Sequence, residues 1–259
     1  MNSPLIEICL ESVADARTAT AAGANRLELC SALALGGLTP SSGALTEVRE
    51  ATPLPIMTMI RPRPGGFCYS DTELAVMQRD IDFAIENGAD GIVFGILTAD
   101  GRIDVERSKG IIRQIEAAPR RLQIVFHRAF DYTPDPLVAL DQLIELRIDR
   151  VLTSGQQATA LEGAALIGDM VQRSAGRIEI LPAAGINADN VCALIARTRC
   201  TQIHASMRKQ VSDLSLAART APALQAITAS QNDRHFTATS GQDVQALVNR
   251  LHNLAAQSQ

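Results

Sequence analysis

Short apolar runs alternate with longer amphipathic stretches along the whole chain. Eight such runs occupy residues 5–9, 26–29, 56–60, 91–94, 123–126, 150–152, 179–181 and 202–204. They are too short for buried helices and read as strands. The segments between them carry helix start signals. Ser12 opens a stretch over 12–22, Ser41 or Ser42 precedes one over 45–51, and Ser70 with Glu73 makes a capping-box pattern before a helix to about residue 87. Gly23, Gly88 and Gly176 each follow a helical run and precede a strand, where a left-handed residue ends a helix well.

Eight strand-then-helix units with connections too long for hairpins predict parallel strands and an α/β fold, a single (β/α)8 TIM-like barrel over residues 1–259. A doubly wound sheet would call for a glycine-rich dinucleotide turn, and no GxGxxG follows any run. The last unit is irregular: a long segment within 206–240 separates the eighth strand from a final helix over 242–256, capped by Ser240 or Thr239.

Composition narrows the function classes. With 24 Lys plus Arg against 28 Asp plus Glu the net charge is −4, and only 6 Phe and 2 Tyr supply aromatic surface. Both argue against nucleic acid as a partner. No apolar run reaches the roughly eighteen residues of a membrane span, so no membrane is expected. Five cysteines with no CxxC fit reduced thiols, and a cytoplasmic location is the expectation.

In a parallel barrel the chemistry gathers at the carboxyl ends of the strands. Glu7-Ile8-Cys9 and Glu28-Leu29-Cys30 repeat one Glu-x-Cys pattern on neighbouring strands, and the two-residue strand period turns each Glu and its Cys to one side. Thiols there can hold a soft metal such as Cu(I), and the carboxylates can carry protons. Arg61 and Arg63 end strand three as an outline anion clamp, or Arg61 pairs with Glu7 or Glu28. His127, with Asp131 four residues on, closes strand five as a candidate acid or base. Thr153, Ser154, Gly185, His204 and Ser206 at strands six to eight are further candidates for substrate contact.

These segments resemble the CutC family of copper homeostasis proteins nearly end to end. The likeness rests on the two Glu-x-Cys motifs, Gly36-Gly37-Leu38-Thr39-Pro40, Met59-Ile60-Arg61-Pro62-Arg63, Tyr69-Ser70-Asp71, His127-Arg128-Ala129-Phe130-Asp131, Leu152-Thr153-Ser154-Gly155 and Ile203-His204-Ala205-Ser206. It implies a cytosolic barrel that forms a homo-oligomer, with a dimer expected, and copper as Cu(I) on thiols that here are Cys9 and Cys30. The sequence departs from the family at Ala183 and Ala184, where glycines are usual, at Gln156, and in the Gly65-Gly66-Phe67 loop, which lacks an Asp.

Three readings follow. The mouth holds Cu(I) on Cys9 and Cys30; or it is an enzyme on a small anionic substrate, with Glu7, Glu28, His127 and Asp131 catalytic and Arg61 and Arg63 binding; or the chain is a scaffold whose long segment after strand eight meets a partner or a second copy.

Overall fold

The structure, a computed structural model, describes residues 3–215 and 235–257. Eight parallel strands form the ring: β1 (Leu5–Leu10), β2 (Arg26–Leu29), β3 (Ile56–Met59), β4 (Gly91–Phe94), β5 (Gln123–Phe126), β6 (Arg150–Thr153), β7 (Glu179–Pro182) and β8 (Gln202–Ala205). Strands β1 to β7 pair in sequence order and β8 pairs with β1, so the sheet runs β7-β6-β5-β4-β3-β2-β1-β8 and curls into a nearly closed (β/α)8 barrel. The helices are α1 (Val13–Ala21), α2 (Ser42–Ala51), α3 (Asp71–Glu86), α4 (Val105–Glu116), α5 (Pro136–Glu145), α6 (Ala164–Ser174), α7 (Val191–Thr198) and α8 (Gly241–Gln257).

Local chemistry accounts for these boundaries. Ser12 Oγ accepts the Asp15 N–H at the start of α1, and Ser41, not Ser42, caps α2. Before α3 the capping box is complete: Ser70 Oγ accepts from the Glu73 N–H while Glu73 Oε2 accepts from the Ser70 N–H at 2.7 Å. A Ser70→Ala variant should lose about 1 kcal/mol, seen as a fall of roughly 2–4 °C in Tm for a chain of this size. An unchanged melting curve would deny the box any energetic role. Gly88 after α3 has φ +89°, and a Cβ there would meet the Arg49 side chain at 2.7 Å, so a larger residue fails on both counts.

The last unit differs from its expectation. Part of the segment expected to be irregular is a two-stranded antiparallel ladder, β9 (Arg208–Ser212) with β10 (His235–Thr239). The rest of that segment, residues 216–234, lies outside the described residues. Helix α8 then packs on α1 and α7 and completes the outer ring. Ser240 Oγ accepts from the Asp243 N–H, and the Thr239 N–H donates to the buried Asp15 carboxylate at 2.6 Å, which fixes the chain entering α8. Among the described residues no helix is long and apolar enough to cross a membrane.

Two apolar layers hold the barrel. The strands' outward residues and the helices share one large core that includes Ile8, Leu29, Ile92, Phe94 and Phe126. Inside the ring, Cys30, Met57, Met59, Val93 and Val125 pack together, with Leu152, Leu181 and Ala183 as a second group. Below them lies a polar plug built from the first residue of five strands. Arg150 donates to Gln202 at 2.8 Å, to Gln123 at 3.1 Å and to Glu179 at 3.0 Å, while Arg26 donates to Gln202 at 2.8 Å and pairs with Glu7. Every member satisfies another, which is the condition for keeping charge inside a barrel.

Candidate functional site at the barrel mouth

The carboxyl ends of the strands surround a cavity of about 280 Å³. Its wall combines Cys9, Glu28, Arg61, His127, His204 and Ser206 with apolar Met59, Phe67 and Leu152 and the backbone turn through Ala184 and Gly185. Each strand contributes through the inward side of its pleat.

Register decides which of these groups meet. Cys9 is paired with Glu28 across β1 and β2, and Glu7 with His204 across β1 and β8. The result is a buried trio, Cys9, Glu28 and His204, whose ligand atoms all lie within 4.8 Å of one another. His204 Nδ1 contacts Glu7 Oε1 at 2.8 Å, and its Nε2 lies 3.8 Å from Glu28 Oε2. A carboxylate on one imidazole nitrogen is the arrangement that orients a histidine toward a metal through the other. Cys30 is not in the trio: its thiol donates to Glu28 Oε2 at 3.5 Å and sits among Met57, Met59 and Val93.

The electrostatics sort the carboxylates. Burial works against the charged form of Glu7, but Arg26 and then His204 outweigh it and hold the carboxyl well below the usual range. Burial pushes Glu28 up, against the pull of His204. Burial and then the Glu28 carboxylate push the Cys30 thiol well above its ordinary value, in keeping with its role as a donor. For His204 burial favours the neutral ring, yet Glu28, the Cys9 sulfur and Glu7 raise its pKa well above the usual histidine value.

A second group stands on β3 and β5. Arg61 pairs with neither Glu7 nor Glu28. Its Nη1 donates to the carbonyls of Leu35 at 3.2 Å and Gly37 at 3.0 Å, its Nη2 to that of Gly65 at 2.8 Å, and its Nε has no partner among the described residues. His127 Nδ1 accepts from the Ala129 N–H at 3.1 Å. Burial, reinforced by the Arg61 charge, lowers its pKa to about 3. The ring is therefore neutral at pH 7, and with Nδ1 occupied as an acceptor the proton is on Nε2, a buried atom that also has no partner among the described residues. The Phe67 ring lies 5.0 Å from His127 and 5.0 Å from the Arg61 guanidinium carbon, holding the two together. Gly95 makes room for the imidazole, since a Cβ there would fall 2.5 Å from it.

Other expected site residues serve the loops. Arg63 pairs with Glu73 and donates to the carbonyls of Gly66 and Cys68 at 2.9 Å each, so it braces its own loop off the cavity wall and the expected double clamp reduces to Arg61. Asp131 accepts from Thr153 Oγ1 at 2.5 Å, Ser154 N–H at 3.0 Å, Ser154 Oγ at 3.0 Å and Arg128 Nε at 2.9 Å. That pins the turn after β5 to the end of β6 and leaves Asp131, Thr153 and Ser154 off the cavity wall, occupied with one another. Gly185 and Ser206 do line the cavity. Phe67, Arg128 and Arg208 line it too; Arg128 stands beside His127 at the polar end of strand five, while Phe67 and Arg208 were not among the expected site residues. For Phe67 the available signal was its place in a Gly-rich loop directly after strand three.

Comparison with known proteins decides the family. A model of the CutC family matches residues 4–209. The chain belongs to the CutC family. A CutC family protein of Treponema denticola is 50% identical over 218 residues, covering 84% of this chain and 87% of that protein. A human protein named copper homeostasis protein cutC homolog is 45% identical over 207 residues, or 80% and 74% of the two chains. Among solved structures, a CutC protein of Streptococcus agalactiae superposes with a TM-score of 0.73 at 35% identity, covering 78% of this chain and 98% of that one. All the residues of the buried trio lie within the span that the CutC model matches, whereas β10 and α8 lie beyond it.

Proposed function

We propose that this CutC family chain serves copper homeostasis by carrying one Cu(I) ion at the floor of the barrel mouth, with Cys9 and His204 as the principal ligands and Glu28 as the third. The observation that carries the reading is the buried trio within 4.8 Å. A thiolate and an imidazole are donors that Cu(I) favours, and Glu7 behind His204 supplies the outer carboxylate that orients such ligands. The relatives' names, which speak of copper homeostasis, point the same way. Cys30 sits one layer away as a protonated donor to Glu28, and so tunes the site without ligating.

Catalysis by His127 as a base has less support, because Ala129 occupies Nδ1 and the proton is already on Nε2. The test is a Cu(I) titration of the reduced, metal-free chain against a competing chelator. One ion per chain should bind, and Cys9→Ser should weaken binding on the order of a hundredfold while Cys30→Ser changes it several-fold at most. Thermal melts of both variants report on folding. Equal binding by wild type and Cys9→Ser, or equal losses in the two cysteine variants, would remove the trio from the copper site.

A further inference from the structure

The β3 and β5 side of the cavity holds a cation, Arg61, that has no carboxylate partner among the described residues. Arg61 is 6% exposed, and its guanidinium donates to three backbone carbonyls, which accept protons without cancelling charge. Tyr69 beside it is a neutral phenol, since burial raises its pKa. The other guanidiniums on the wall are matched, Arg128 by Asp131 and Arg208 by Glu11. An unpaired guanidinium in a buried position is costly to keep. Next to it stands His127, 4% exposed, whose tautomer is fixed by the Ala129 N–H so that Nε2 can only donate. Arg61 Nε and His127 Nε2 are thus two buried donors on one cavity wall, both without an acceptor among the described residues.

We propose that this wall binds the carboxylate of a small monoanionic organic molecule, with Arg61 Nε and His127 Nε2–H donating to its oxygens and Phe67 packing beside it. One unmatched positive charge and two free donors fit a group with one negative charge and two oxygens; a phosphate dianion would leave a charge and an oxygen unmatched. The remaining volume, toward the Ala184–Gly185 turn, is open to the rest of the molecule. The site stands apart from the copper reading, because neither donor belongs to the trio of Cys9, Glu28 and His204.

The test uses the full, metal-free chain and three probes at constant ionic strength: acetate, lactate and inorganic phosphate. Acetate and lactate should shift the His127 imidazole ¹H and ¹⁵N resonances saturably, moving the Nε2–H proton most. Arg61→Gln and His127→Phe should each weaken binding roughly tenfold or more, the range for a lost hydrogen bond to a charged group. Arg61 also ties down three carbonyls, so the wild-type imidazole shifts serve as a readout that does not depend on that variant folding. Absence of a saturable shift at His127 would overturn the proposal, as would tighter binding of phosphate than of either carboxylate. Cu(I) titration of His127→Phe separates the two sites: an unchanged copper affinity with carboxylate binding lost is the expected pattern, and loss of both overturns their independence.

Discussion

Replacing Glu7 with alanine is expected to remove about 3–5 kcal/mol of folding stability, the usual cost of leaving one half of a buried ion pair behind. Glu7 is 2% exposed and holds two partners at once, Arg26 from β2 and His204 Nδ1 from β8 at 2.8 Å. Without it Arg26, itself 3% exposed, keeps only the neutral Gln202 amide as a side-chain acceptor among the described residues. The loss is large against a total of about 5–15 kcal/mol. It should appear as a drop of roughly 6–20 °C in Tm and an earlier urea midpoint. The variant Glu7→Gln keeps an oxygen near Arg26 and should fall between the two. Removing both charges, as in Glu7→Leu with Arg26→Met, should cost less than the two single changes added together, because neither partner is then left unpaired. A loss below about 1 kcal/mol in Glu7→Ala would mean that water reaches Arg26 and that the plug below the cavity is not dry.

The same pair shows what the sequence discloses and what it withholds. Strand positions were legible because buried parallel strands are short apolar runs, and helix starts because Ser12, Ser41 and Ser70 satisfy N–H groups locally. The two Glu-x-Cys motifs correctly mark the inward face of β1 and β2. Their alignment could not be read, because it depends on the stagger of neighbouring strands in a closed barrel. That stagger is two residues: Cys9 stands opposite Glu28 and Glu7 opposite Arg26, so like does not face like and Cys30 lies one layer away from Cys9. His204 reaches the trio only because β8 closes on β1, a contact nearly two hundred positions apart in the chain. Arg61 and Arg63 look equivalent in sequence, yet one is held inside by the carbonyls of two loops and the other is held by its own loop. The β9–β10 ladder escaped for a related reason: its strands are separated by the segment between 212 and 235, and neither shows strong alternation.

Acid should destabilise this protein through His127 well before its carboxylates are all protonated. In the unfolded chain the imidazole titrates near the ordinary 6.5, and in the folded one near 3, because it is buried beside the Arg61 charge. Between those values the unfolded state binds the proton and the folded state does not, so stability is full above about pH 6.5 and declines as pH falls toward 3. Each pH unit inside that window is worth about 1.4 kcal/mol. The His127 contribution to the loss is then about 2 kcal/mol on going from pH 7 to pH 5, and roughly 4–5 kcal/mol across the whole window. Urea denaturation of wild type and His127→Phe at pH 7, 6 and 5 isolates it. The variant loses the acceptor for the Ala129 N–H and is less stable at every pH, which moves the intercept; the prediction concerns the slope. Wild-type stability should fall with acid more steeply than that of His127→Phe by about 2 kcal/mol over those two units. Parallel lines would mean that the folded imidazole takes up a proton as readily as the unfolded one. It could then no longer be the fixed, neutral donor beside Arg61 on which carboxylate recognition depends.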